Sequence, residues 1–234
     1  MATVLITGAN RGLGLGLTRA YLEDGWQVIA AVRQSSPELQ RIADDGLEIR
    51  ECRLTDDGQL ADLAGSLTDR TIDVLIHNAG RLAKPAAPAE AKDVQGFGHF
   101  NRALWHEVFD INLFTPMGLS ELLIDRIASA DRGRIVTISS TLGSISMNDS
   151  GGLYAYRASK AGANAIMKSM AVDLAARGVI AVAMHPGWVR TDMGGAGAAL
   201  DIETSVRGMK RVIDNLRPED SGKFLSWDGT ERPW

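Results

Sequence analysis

One cysteine, three tyrosines and four histidines are all that 234 residues offer of the side chains most often used for covalent or metal chemistry. The lone Cys52 excludes an intrachain disulfide and suits a reducing compartment. His77, His99, His106 and His185 follow no metal-ligand spacing and no cysteine cluster joins them, so no metal site is expected. No apolar run approaches the roughly 18 residues of a membrane-spanning helix. Lys and Arg are not clustered and the net charge is −4, which argues against nucleic acid or an anionic membrane as partner. The opening Met1–Val4 has no charged region ahead of an apolar one, so no secretory signal is expected. These absences leave a soluble, cytoplasmic protein as the expectation.

What is present is alternation. Short β-branched runs at Thr3–Thr7, Gln27–Val32, Leu47–Arg53, Ile72–His77, Arg134–Ser139, Ile180–His185 and Lys223–Ser226 are separated by helical patterns, among them Gly12–Asp24, Gln59–Leu67, Asn112–Ala128, Leu153–Arg177 and Ile202–Asn215. Near-continuous apolar strands between helices belong to a parallel sheet covered on both faces. The fold expected is α/β: a doubly wound, Rossmann-type sheet of about seven strands in a single domain over residues 1–234. The Pro/Ala-rich Ala83–Ala91 reads as a surface excursion, and Gly/Ser-rich Thr141–Leu153 as an irregular loop.

Many of the 25 glycines fall at turns. In "TGANRGLG", directly after the first strand, Gly8, Gly12 and Gly14 are spaced G-x3-G-x-G, with Asn10, Arg11 and Leu13 between them. Such a turn supplies positive φ, lets the backbone approach a pyrophosphate, and presents the free N–H groups of a helix N-terminus. A dinucleotide is therefore the expected ligand. After the second strand, an acidic residue would hold the ribose of NAD. None occurs between Gly25 and Pro37; that strand ends at Arg33. Arg33 and Arg11 could together clamp a 2′-phosphate, which favours NADP(H) over NAD(H), although two solvated surface arginines would read the same way.

"YAYRASK" places Tyr154 and Tyr156 ahead of Lys160. On a helix, Tyr156 and Lys160 lie about 40° apart and one turn along, whereas Tyr154 is roughly 240° away from Lys160. Only Tyr156 can share a site with the lysine. An ammonium beside a phenol favours the phenolate, which turns tyrosine into a usable acid/base. "VTISS" brings Ser139 and Ser140 to the end of the fifth strand as candidate partners for the same substrate oxygen.

With "HNAG" (77–80), Asn112 in "DINLF", and "HPGWVRTDM" (185–193), these motifs run in the order of the short-chain dehydrogenase/reductases, and the chain resembles that family along nearly its whole length. "YAYRASK", "HPGWVRTDMGG" and "FLSWDG" are similar to the branch holding the C-factor signalling proteins and the sniffer-type carbonyl reductases. The resemblance implies an NADP(H)-dependent oxidoreductase that moves a hydride between nicotinamide and a carbonyl or alcohol. Tyr156 would be the general acid/base and Ser140 would polarise the carbonyl. Lys160 would hold the ribose hydroxyls and lower the tyrosine pKa, and Asn112 would bind a water linking Lys160 to solvent. Asn78, Ala79 and Gly80 would line the adenosine side of the cofactor, and Pro186, Gly187, Val189 and Thr191 the nicotinamide end.

His77 replaces the first Asn of the family's Asn-Asn-Ala-Gly, and Arg53-Leu54-Thr55 lacks an acidic adenine contact, leaving Leu54 to face the cofactor. The sixteen residues from Ser140 to Tyr156 keep Ser139 open as an alternative. Gly/Ala-rich "GGAGAALDIETS" suits a mobile lid. The small-residue helices "YRASKAGANAI" and "INLFTPMGLSELLI" suit pairing across a two-fold axis, so a homo-oligomer (dimer or tetramer) is expected, although internal packing would use the same residues. The competing function is a nucleotide-binding signalling protein with little or no catalysis.

Overall fold

The computed structural model describes residues 1–42, 45–82 and 96–234; the expected Ala83–Ala91 excursion lies outside them. Strands β1 (Thr3–Thr7), β2 (Gln27–Val32), β3 (Leu47–Glu51), β4 (Val74–His77), β5 (Arg134–Ile138), β6 (Ile180–His185) and β7 (Phe224–Ser226) form one sheet in the order β3-β2-β1-β4-β5-β6-β7. Every adjacent pair is parallel. The order reverses between β1 and β4, and the crevice beyond the carboxyl ends of these strands is where ligands of such sheets sit.

Period-2 burial divides each strand between two cores. Leu5, Ile29, Leu75, Ile135 and Ala181 face one layer, with Leu63, Leu123 and Met167 from helices α3 (Asp57–Gly65), α5 (Thr115–Ala128) and α6 (Tyr154–Asp173). Val4, Ile6, Val28, Ile76, Val136 and Val182 face the other, with Leu17 and Met209 from α1 (Gly12–Glu23) and α7 (Ile202–Asp214). The two-sided covering is the reason the strands read as continuous apolar runs.

Boundaries moved where side chains compete for backbone groups. β3 stops two residues early, because past Glu51 the Arg53 amide donates to the Gln59 side chain at 2.7 Å. Asp56 then caps α3 through the Gln59 amide at 3.0 Å. The expected helix Asn112–Ala128 is preceded by an unanticipated α4 (Arg102–Phe109), and the two join through a π-helical turn, Asp110–Phe114, that carries Asn112. Helix α2 (Pro37–Arg41), capped by Ser36, was also missed.

The expected lid is knit into a frame. Val189 pairs with Leu200, the Arg190 amide donates to Leu200 O at 2.9 Å, and the Leu200 amide returns to Trp188 O at 3.0 Å. The Arg190 guanidinium donates to Ala198 O at 3.0 Å and pairs with Asp201 at 3.7 Å.

Candidate active site

The site grows from the switch point. Thr7, last in β1, accepts the Asn78 and Ala79 amides on its hydroxyl at 3.1 and 3.0 Å, fastening the end of β1 to the segment after β4. Gly8 adopts φ +69°, and a Cβ there would stand 2.9 Å from Ala79 Cα. Gly14, in the first turn of α1, lies so close to Gly8 that a Cβ would overlap the Gly8 carbonyl. Helices α2, α3, α4 and α7 start with side-chain caps from Ser36, Asp56, Asn101 and Asp201. α1 has none, nor an acidic residue in its first turn. Its first N–H groups, next to the glycine turn, therefore have no side-chain acceptor of their own.

The remaining turn residues divide by what they touch. Asn10 Oδ1 accepts the Ser36 amide at 3.0 Å and its carbonyl accepts Ser36 Oγ at 2.9 Å, tying the turn to the loop that carries exposed Arg33. Arg11 does not join Arg33: its guanidinium pairs with Asp192, 2.6 Å away across the crevice, with both side chains exposed. Asn78 points into the turn, donating to Thr7 O and Gly8 O at 3.0 and 3.1 Å, so its part is to shape the cradle. Leu54 is buried in the core and its carbonyl accepts Thr115 Oγ1 at 2.8 Å.

Helix α6 carries the tyrosine and the lysine. Tyr156 and Lys160 are both buried, and Lys160 Nζ lies 5.8 Å from the Tyr156 ring centroid. The same ammonium donates to Ile138 O at 2.7 Å. Gly80 completes the contact, since a Cβ there would meet Asn112 Oδ1 at 3.2 Å and Lys160 Nζ at 3.5 Å. Asn112 is held through both ends of its amide: Oδ1 accepts the Arg81 amide at 2.8 Å, and Nδ2 donates to Arg81 O and Ser159 Oγ, each at 2.9 Å. Tyr154 is half exposed and lies 6.5 Å from Phe97, away from the lysine.

The two serines separate. Both reach the cavity wall, but buried Ser139 spends its proton on Asn164 Oδ1 at 2.6 Å. Ser140 Oγ accepts the Leu142 amide at 3.1 Å and its hydroxyl lies against the Tyr156 phenol. The cavity, about 380 Å³, is bounded by Leu13, Ser140, Leu142, Tyr156, Trp188 and Met193, with Pro186, Gly187, Val189 and Thr191 along its far wall. Met193 was not anticipated; its sulfur is 4.0 Å from the Tyr156 hydroxyl. Trp188 is anchored by its indole N–H on Gly194 O at 2.9 Å and lines the cavity rather than the core.

Burial dominates both titrations. Burial pushes Tyr156 up to about 12, with the Ser140 hydroxyl pulling modestly the other way. Burial pushes Lys160 down to about 8. Both charged forms are disfavoured by loss of water, and the phenol enters the site protonated.

A family model described as short chain dehydrogenase matches residues 2–199. The chain is 41% identical to the C-signal of Myxococcus xanthus over 163 residues, 70% of this chain and 93% of that protein. The carbonyl reductase Sniffer of D. melanogaster superposes with a TM-score of 0.88 at 34% identity, covering all of both chains. The NADPH-bound carbonyl reductase from chicken fatty liver gives 0.89 at 30% identity over 100% of this chain and 99% of that one.

Proposed function

The chain belongs to the short chain dehydrogenase family and is an NAD(P)-dependent oxidoreductase, and we propose that it uses NADP(H) with Tyr156 as general acid/base on a carbonyl or alcohol substrate. The observation that carries this reading is the meeting of the Tyr156 phenol and the Ser140 hydroxyl at one apolar cavity beside the uncapped start of α1, with the Lys160 ammonium 5.8 Å from the phenol ring centroid.

Gly8, Gly12, Leu13 and Gly14 would hold the pyrophosphate, and Gly80 and Lys160 the nicotinamide ribose, with Pro186, Gly187, Val189 and Thr191 behind the ring. The dinucleotide supplies or accepts the hydride. The chain's own residues manage the oxygen. Ser140, its lone pair engaged by the Leu142 amide, donates to the substrate carbonyl and fixes its direction. Tyr156, protonated in the buried site, gives its proton to the same oxygen as charge develops there. Lys160 then stabilises the phenolate from one turn away. A carbonyl entering between the Ser140 and Tyr156 hydroxyls displaces the weak thioether acceptor of Met193 from the phenol.

Arg33, on a loop tied to the glycine turn by Asn10 and with no acidic neighbour from Gly25 to Pro37, supports NADP over NAD. Exposed Phe114, Leu122 and Val172 on or beside α5 and α6 support a homo-oligomer. The test is NADPH oxidation followed by absorbance against aldehydes, ketones, quinones and diketones, with Tyr156→Phe as control. Turnover that survives in the variant overturns the role given to Tyr156. A second reading, a nucleotide-binding signalling protein, draws support from the similarity to the C-signal; NADPH binding without turnover across the panel would favour it.

A further inference from the structure

Residues 229–234 lie far from the glycine turn in sequence and contribute nothing to the cavity wall, yet they engage the segment that carries Ser140. After β7 the chain doubles back: the Ser226 amide donates to Thr230 O at 2.8 Å, Leu225 pairs antiparallel with Glu231, and the Arg232 amide donates to Phe224 O at 2.7 Å. The Trp234 ring then stacks on fully buried Phe224, centroids 5.6 Å apart and 17° from parallel. That stacking fixes where the Trp234 backbone oxygen sits. The oxygen accepts the amides of Ile145 and Ser146 at 2.7 and 3.1 Å. Ser144 Oγ, buried, lies 2.8 Å from both Trp234 O and Pro233 O and shares its single proton between them.

From Ser144 the connection to the cavity is short. The Ser144 amide donates to Thr141 O at 3.0 Å and the Gly143 amide to Ser140 O at 2.8 Å, closing a tight 3-10 turn over Thr141–Gly143. Within that turn the Leu142 amide donates to Ser140 Oγ at 3.1 Å and sets the hydroxyl's direction. On the other side Gly143 lies against Lys160, where a Cβ would stand 2.8 Å from Lys160 Cβ. The turn is thus pressed between α6 and the returning tail.

We propose that Trp234 is a positioning residue for the reaction: stacked on Phe224, it braces the Ser140–Ser146 turn so that the Leu142 amide holds Ser140 Oγ toward the substrate carbonyl. This rests on Ser140 having the role given above. Small displacements of an orienting group are costly, so the brace acts on turnover more than on cofactor binding.

The test uses Trp234→Ala, Trp234→Phe and a chain ending at Arg232, each compared with the unmutated protein for kcat, KM, NADPH affinity and amide hydrogen exchange. Trp234→Ala and the shortened chain are expected to lose about tenfold or more in kcat with NADPH affinity held within about twofold, and Trp234→Phe to recover most of the loss. The Leu142, Ile145 and Ser146 amides should exchange faster in the first two variants. Unchanged kcat and unchanged protection in Trp234→Ala overturn the proposal. So does a parallel loss of kcat and NADPH affinity that Trp234→Phe fails to restore, which marks a purely structural tail. If the unmutated protein turns over no carbonyl, the catalytic reading falls by itself, and exchange at these three amides still decides whether the tail braces the turn.

Discussion

Lys160 Nζ donates to Ile138 O at 2.7 Å, so the ammonium of helix α6 is moored to the last residue of β5, two positions before Ser140. A hydrogen bond from a buried ammonium to a strand carbonyl fixes how far α6 stands from the sheet, and with it the height of Tyr156 above the Ser140 hydroxyl. The lysine therefore orders the site before any ligand arrives, while burial holds its pKa at about 8.

Replacing Tyr156 by Phe removes the proton donor and keeps the ring. Turnover should fall by roughly 10²–10⁴, the usual worth of general acid catalysis. Because the Tyr156 hydroxyl is engaged by the Ser140 hydroxyl and lies 4.0 Å from the Met193 sulfur, both in the cavity wall rather than the glycine turn, NADPH affinity should hardly change. Steady-state kinetics beside a fluorescence titration of NADPH checks both halves, and a loss of binding equal to the loss of rate would contradict the assignment.

The adjacent serines should give opposite results. Ser140→Ala removes the hydroxyl in the cavity wall and should lower kcat/KM with little effect on stability. Ser139→Ala strips buried Asn164 Oδ1 of its 2.6 Å donor and should cost about 1–3 kcal/mol of stability, leaving the chemistry in place. Denaturant midpoints and kinetics on the pair decide; a Ser139→Ala protein that is stable and inactive would reverse the roles.

Cofactor choice should follow Arg33. Arg33→Asp exchanges a phosphate donor for an acceptor of ribose hydroxyls and should weaken NADPH by roughly 1.5–3 kcal/mol, a factor of about 10–150, while improving NADH. Competitive titration of the two cofactors measures the ratio. Equal affinity in the unmutated protein would remove the basis for the preference.

His77 links stability to pH. Its ring is buried, with Nε2 2.8 Å from Ser120 Oγ, and burial lowers its pKa from 6.5 to about 3. The unfolded chain binds the proton more readily between those values, so this contribution is complete above pH 6.5 and is lost as pH falls toward 3. His185, lowered to about 4, acts with the same sign. Urea midpoints measured between pH 7 and 5 should therefore fall on acidification, and His77→Asn should flatten the slope to what His185 leaves. An unaltered slope in that variant would place the pH sensitivity elsewhere.

Local pattern was enough for the strands, the glycine turn and the choice between the tyrosines, because each depends on neighbours within a few positions. Apolar runs covered on both faces need no knowledge of which helix covers them. Tyr156 and Lys160 share a face by helical geometry alone, and Gly8 and Gly14 are needed for a turn whose partners are one strand away. What the sequence could not settle lies in contacts made across long separations. Arg11 engages Asp192, 181 positions away, rather than Arg33. Ser139 spends its proton on Asn164, 25 positions on, while Ser140, its neighbour, does not. Burial outweighs the lysine at the phenol, and desolvation is a property of the packed molecule rather than of spacing. The stacking of Trp234 on Phe224, which carries the tail to the Ser140 turn, also arises only when the sheet has closed. Periodicity fixes which way a side chain faces along its own element; only the folded chain decides which partner it meets there and how much water remains.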